Sequence, residues 1–361
     1  MTLVKLDATG LRNLHPLTLE PGPGINYLVG ENASGKTSLL EAIYLLGRAR
    51  SFRTSQINQL IHFDQPELTV VGKVAPQDQT ATLPIGVRVA RRKREIHVGG
   101  RIAQSSAELL QAFPLLVIQP AGIALLEGAP KLRRHFLDFG VFHHDSRYLD
   151  YWRRYTKTLN HRNALLRSGK ARELAPWNQE LTRYGIMIHE ARRGYLERLA
   201  PFFHEIGGRF FSDPLFELRI HAGWDVTRSL EFVLESDIAA DLRYGNTQSG
   251  PHKGDFSILL NQRPVKAYVS RGQMKLLVYA LLLAQSRLME EQLGTAGCVL
   301  IDDVASELDE PNKRILLELL QGRLTQFFIT ATGREIIEEG VSDDAAVFQI
   351  AEGRVTQAQN P

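Results

Sequence analysis

The sequence predicts an α/β protein in which a phosphate-binding lobe is interrupted by a mainly helical, basic insertion, with no coiled coil. Three observations lead there. A glycine-rich loop near the N-terminus separates an apolar run from a helical pattern. A second apolar run, near the C-terminus, ends in two aspartates. Between them, strand-like segments flank a long helical stretch rich in arginine.

The loop comes first. Residues 30–47 read GENASGKTSLLEAIYLLG, with Gly30, Gly35, Lys36 and Thr37 in the places of G-x-x-x-x-G-K-[ST]. Ile25 to Val29 reads as a buried strand, and Leu39, Leu40, Ile43 and Leu46 recur at helical spacing. Strand, turn and helix in that order let backbone N–H groups converge on an anion where the helix dipole already favours negative charge. Glu31, Asn32, Ala33, Ser34 and Ser38 complete the expected cradle. Lys36 reaches the β and γ phosphates, and the Thr37 hydroxyl ligates Mg²⁺.

The second apolar run, Cys298 to Ile301, ends in Asp302 and Asp303, as expected of a buried strand delivering acids at its carboxyl end. Asp302 is the expected Mg²⁺ partner. Asp303, free of the strand, is expected to face the γ phosphate and polarise the attacking water. Taken alone, the pair also fits a turn with a helix cap.

The remaining order gives the domains. Strands are expected at Val4 to Thr9, Leu68 to Val74, Leu83 to Val89 and Glu95 to Val98, helices from Ala129 to about Phe211, then strands at Phe216 to His221 and Phe256 to Leu260. An αβα succession closes the chain, and the tail after Glu352 has little to bury. The expected lobes are 1–120 with 245–361, and 121–244.

Composition excludes several classes. Hydrophobic residues make up 43% of the 361, enough for a sizeable core. Gln285 and Arg287 break the longest apolar stretch, so no membrane span is expected. The first residues lack a signal pattern, and Cys298, read as core filling, is the only cysteine; a cytoplasmic setting is expected. His143 and His144 read as packing or surface histidines. The net charge of +3 is unevenly spread: from Lys131 to Arg172, eleven Lys or Arg face three Asp, a net +8. Arg133, Arg134, Arg153, Arg154 and Lys157 there, with Arg91, Arg92 and Arg94 in a hairpin, fit either a DNA backbone or a solvated helix face.

Further stretches are ambiguous singly. In YVSRGQMKLL, Ser270, Gly272 and Gln273 precede an apolar helix, and Asp309 follows the second acid; Ser270 and Asp309 also fit helix caps. Together with LRNL at Leu11 to Leu14, KLRRHFLD, SGPHKGDF and LIDDVASELD, they stand in the order found in the RecF family. The chain therefore resembles that family of SMC-like ABC-type ATPase heads, from Leu6 to about Thr332.

The resemblance implies a recombination mediator that binds ATP and Mg²⁺, dimerises on ATP, and binds double-stranded DNA and double-strand/single-strand junctions or gaps in DNA repair. It would act with RecO and RecR to help RecA load. Ser270 would reach the γ phosphate across the dimer, Arg12 looks like a further nucleotide contact, and Gln119 would link metal and helical lobe. Arg12 also reads as a surface arginine. The segment around Gln119 lacks the expected Pro-Glu-Asp run, Thr332 stands where a switch histidine is common, and Asp303 is shorter than the usual glutamate. A slow, DNA-stimulated ATPase is expected. The alternatives are a cassette subunit of a transporter or a nucleotide-sensing protein scaffold.

Overall fold

Alternating burial at the N-terminus produces β1 (Thr2–Thr9), whose Leu3, Leu6 and Ala8 point into the core. The computed structural model describes residues 1–75, 81–91, 93–212, 216–293, 297–303, 308–333 and 345–358. Arg92 lies outside them. Two units are formed, Met1–Gly122 with Ser286–Pro361, and Ile123–Gln285. In the first, β1 begins an antiparallel sheet with β2 (Leu17–Leu19); β3 (Ile25–Val29), buried throughout, runs instead into the loop and α1 (Lys36–Arg48). The antiparallel sheet continues through β4 (Glu67–Ala75), β5 (Leu83–Ala90), β6 (Lys93–Val98) and β7 (Arg101–Ile102), in the order β2-β1-β4-β5-β6-β7. Then follow α2 (Ser106–Ala112) and β8 (Leu115–Ile118).

The second unit holds α3 (Ala124–Glu127), α4 (Pro130–His144), α5 (Tyr148–Arg167) and α6 (Ala175–Phe210). After them come β9 (Phe216–His221), α7 (Leu230–Ser236), α8 (Ile238–Tyr244), β10 (Asp255–Leu260), β11 (Arg263–Pro264) and α9 (Val265–Tyr268). The long α10 (Arg271–Leu293) contains the unit boundary. The sequence places the return to the α/β lobe at 245; in the structure the division falls at 285/286. The physical reason is that the sheet β11-β10-β9 packs on α4 and α6, with Phe136 against Phe256 (5.7 Å) and Phe203 against Phe216 (5.5 Å).

Two polar side chains in this unit, Arg162 and His252, are matched. Arg162, fully buried, donates to Asn178 Oδ1 (2.8 Å), Asp241 Oδ2 (2.6 Å), Thr247 Oγ1 (2.7 Å) and the Leu234 carbonyl (3.1 Å). His252, for which sequence reading offers no role, bonds through Nδ1 to the Tyr155 hydroxyl (2.6 Å) and through Nε2 to the Thr247 carbonyl (2.9 Å). Burial lowers its pKa to about 4, so the ring stays neutral.

The chain then supplies β12 (Cys298–Ile301), α11 (Glu310–Leu320), β13 (Gln326–Ala331), β14 (Ala346–Ala351) and β15 (Arg354–Ala358). They complete a sheet in the order β15-β14-β3-β13-β12-β8, parallel except for β15. Within the tail after Glu352, expected to bury little, Arg354–Ala358 pairs along β14 as an edge strand. Cys298 is buried in the core as expected, and burial raises its thiol pKa. Leu39, Ile43 and Leu46 of α1 share one hydrophobic cluster with Leu6, Val70, Val87 and Phe328, so α1 is clamped between the two sheets. Its N-terminus is thereby fixed at the carboxyl ends of the parallel strands. No helix among the described residues is long and apolar enough to cross a membrane.

Candidate functional site

The loop after β3 is shaped by its glycines and by a distant hairpin. A Cβ on Gly30 would stand 2.1 Å from the Ile350 carbonyl oxygen, and Gly35, at φ +119, closes the turn into α1. Ala33 takes a left-handed φ of 63°. The Gly353 N–H of the β14–β15 turn donates to the Ser34 carbonyl (2.8 Å), and a Cβ there would meet the Asn13 carbonyl oxygen at 2.0 Å. From the other side, Ser38 Oγ donates to Asn13 Oδ1 (2.8 Å).

Beside the loop, the parallel register places two acids. Ile301 pairs with Ile118 and Ile329, so Asp302 follows directly at the sheet's carboxyl edge, and its N–H is held by the Ile118 carbonyl (2.9 Å). Its Oδ1 accepts from Thr37 Oγ1 (3.1 Å) and from Thr330 Oγ1 (2.9 Å). Thr330, in the neighbouring strand, also accepts the Asp303 N–H (2.7 Å), holding that residue at a left-handed φ of 58°. Burial raises the Asp302 pKa, opposed by the bonds from Thr330 and Thr37. Lys36 Nζ donates to the carbonyls of Gly30 (2.6 Å) and Glu31 (2.7 Å); burial lowers its pKa against the pull of Asp303 and Asp302.

These groups open on a cavity of about 720 Å³ lined also by Arg12, Arg53, Gln59, Ile61, His62 and Phe63. Arg12 is held by the fully buried Glu41, donating through Nη2 to Oε1 (3.0 Å) and through Nε to Oε2. Ser51 donates to the same carboxylate. A polyphosphate with a hard cation fits this set on three counts. The Ser34 hydroxyl is buried in the loop without a partner. The glycine cradle has no room for side chains, and the Thr37 hydroxyl and Asp302 carboxylate converge as oxygen ligands.

The other expected residues fall as follows. Gln119 immediately follows β8, one register step beyond Ile118 and beside Asp302. Asp309 caps α11, accepting from the Asn312 N–H (3.1 Å). In the second unit Ser270, Gly272 and Gln273 are exposed, and Ser270 and Gln273 form a reciprocal cap: the Ser270 N–H donates to Gln273 Oε1 (2.9 Å), and the Gln273 N–H to Ser270 Oγ (3.2 Å).

The basic residues separate into two kinds. Arg133 grips Asp255 with two bonds of 2.8 Å and donates Nη1 to the carbonyls of Leu125, Leu126 and Gly128, so it serves the fold rather than an exposed face. Arg134 is half-buried on the Gly254 carbonyl (2.9 Å). By contrast Arg153 and Lys157 are exposed on α5, where they line a shallow groove with Trp152 and His161. Arg154 is exposed and paired with Asp150 (2.9 Å). Arg91 and Arg94 are exposed at the β5–β6 hairpin, Arg94 donating to the Ala49 carbonyl (3.0 Å).

Sequence reading missed Glu41, Ser51, Arg53, Thr330, Gly353 and the His62–Phe63 pair. Glu41 alone carried a signal, a carboxylate on the inward face of an otherwise apolar helix.

With this geometry in hand, comparison with known proteins is specific. The sequence model of the RecF/RecN/SMC N terminal domain family matches residues 2–356. The DNA replication and repair protein RecF of Pseudomonas syringae pv. tomato is 41% identical over 366 residues, covering 100% of this chain and 99% of that protein. A solved structure of the recombination mediator protein RecF–ATP in the RecFOR pathway superposes with a TM-score of 0.87 at 32% identity, covering 99% of this chain and 97% of that one. An SMC head bound to the C-winged helix domain of ScpA (TM-score 0.61, 15% identity, 99% and 97% covered) shares the fold alone.

Proposed function

The chain belongs to the RecF family and has the SMC-head ATPase fold, and from that premise we propose that it is an ATP-gated recombination mediator: ATP with Mg²⁺ closes two copies on DNA, and hydrolysis releases them. The observation that carries the reading is the meeting of Thr37 and Asp302 at 3.1 Å beside a loop whose buried Ser34 hydroxyl has no partner.

Each residue has a role in this reading. The N–H groups of the 30–38 loop bind the phosphates, helped by Arg12, whose guanidinium Glu41 orients. Lys36 leaves two backbone carbonyls to meet the β and γ phosphates. Thr37 and Asp302 hold Mg²⁺, which when bound neutralises developing phosphate charge. Asp303 orients and polarises water, and Gln119 stands beside the metal position. Ser270, exposed at the start of α10, contacts the γ phosphate held by the second copy, so ATP biases closure through contacts made only in the closed state. The short reach of Asp303 and the presence of Thr332 favour slow hydrolysis.

On this reading Arg153, Arg154 and Lys157, with Arg91 and Arg94, face DNA phosphates at gaps or double-strand/single-strand junctions, where RecO and RecR join to help RecA load. Measuring duplex affinity with and without ATP tests the reading. Affinity should rise with ATP and fall steeply with salt, and Lys36→Met should abolish the ATP effect. Affinity indifferent to both nucleotide and salt overturns it.

A further inference from the structure

The cavity beside the loop is lined by Lys36, Thr37, Asp302 and Asp303 and also by Ile61, His62 and Phe63. Phe63 is 86% exposed although its ring is large and apolar, so folding gains almost nothing from it. It is nevertheless ordered by its neighbour: the His62 and Phe63 rings stack with centroids 4.5 Å apart and planes 25° from parallel. The backbone beneath is fixed. Leu11 bridges Ile61, the Arg12 N–H donates to the Leu60 carbonyl (2.7 Å), and the His62 N–H donates to the Gly10 carbonyl (2.8 Å). His62 is held again where its Nδ1 accepts the Asp64 N–H (3.2 Å). The flat pair therefore stands on the same wall that presents Arg12.

We propose that Phe63, backed by His62, is the platform on which the base of the bound nucleotide stacks. A triphosphate laid along the loop directs its nucleoside away from the acids, and a flat apolar face at the rim offers that base the partner it lacks in water. This rests on the phosphate reading of the loop, and it assigns a further part of the same cavity lining.

The experiment compares two probes, ATP and inorganic tripolyphosphate, each with Mg²⁺, binding to the full chain and to Phe63→Ala by calorimetry. Since stacking on an aromatic ring contributes ~1–3 kcal/mol per base, Phe63→Ala should weaken ATP roughly 5- to 150-fold. Tripolyphosphate affinity should not change, and Phe63→Trp should restore ATP binding. Equal losses for both probes would make Phe63 a support of the loop and overturn the platform. So would unchanged ATP affinity, including the case in which only DNA binding falls. If the unaltered chain binds neither probe, the phosphate reading itself fails and the platform with it; tripolyphosphate binding without a base effect overturns the platform alone.

Discussion

Replacing Thr330 by valine removes one hydroxyl and almost no volume. That hydroxyl donates to Asp302 Oδ1 (2.9 Å) and accepts the Asp303 N–H (2.7 Å), and the residue is 1% exposed, so water cannot replace it. Losing the acceptor of the Asp303 N–H costs ~1–3 kcal/mol, while the carboxylate still accepts from Thr37, so Thr330→Val should lower stability by roughly 1–3 kcal/mol. Asp302 keeps its Thr37 bond and its backbone anchor on Ile118, so the metal position survives. Asp303 loses the bond that holds its left-handed backbone, and hydrolysis should suffer more than ATP binding. Urea unfolding and single-turnover hydrolysis measure the two effects. Thr330→Ser keeps the hydroxyl, loses one methyl worth about 1 kcal/mol, and should recover most of the hydrolysis rate. The reasoning is refuted if Thr330→Val unfolds within ~0.5 kcal/mol of the parent, the range of an ordinary surface change, or if serine rescues nothing.

Three other outcomes follow from the same structure. Asp241→Ala leaves the Arg162 guanidinium charged and fully buried, and should cost about 3–5 kcal/mol in denaturant unfolding. His252 has its pKa depressed from 6.5 to about 4, so the unfolded chain binds more protons in that window; stability should fall as pH drops from 6.5 to 4, by at most about 3 kcal/mol at 1.36 kcal/mol per pH unit. Unfolding curves across that window, compared with His252→Gln, isolate the effect, which should vanish in the variant. Gly353→Ala, at φ +75 and with Asn13 O 2.0 Å from the new methyl, should displace the β14–β15 turn from Ser34 and weaken ATP binding, read by calorimetry, without altering the acids.

What the sequence disclosed was local. The loop between β3 and α1 and the acids after β12 were legible because strand, turn and helix each leave a short-range pattern, and the structure brings Thr37 to Asp302 from 265 residues away. The supports were illegible for the complementary reason. Thr330 and Gly353 reach the site only through strand order in the sheet, which periodicity does not encode. Charge counting finds arginine clusters but not their partners: Arg133 is matched by Asp255, 122 positions on, while Arg153 in the same cluster stays exposed. β9 and β10 were recognisable as strands by alternation, yet the unit they join depends on aromatic contacts with α4 and α6. The hairpin β14–β15 was hidden by its polar outer face, since only its β14 side and the Gly353 turn are buried.

The proposal of an ATP-driven clamp is tested most directly by light scattering of the 40.6 kDa chain with Mg²⁺ and a non-hydrolysable ATP analogue, with Ser270→Arg alongside. The account predicts that the analogue doubles the particle mass of the parent, while Ser270→Arg binds the analogue and keeps the mass of one copy. A parent that stays single at saturating analogue, or a variant that doubles like the parent, contradicts it.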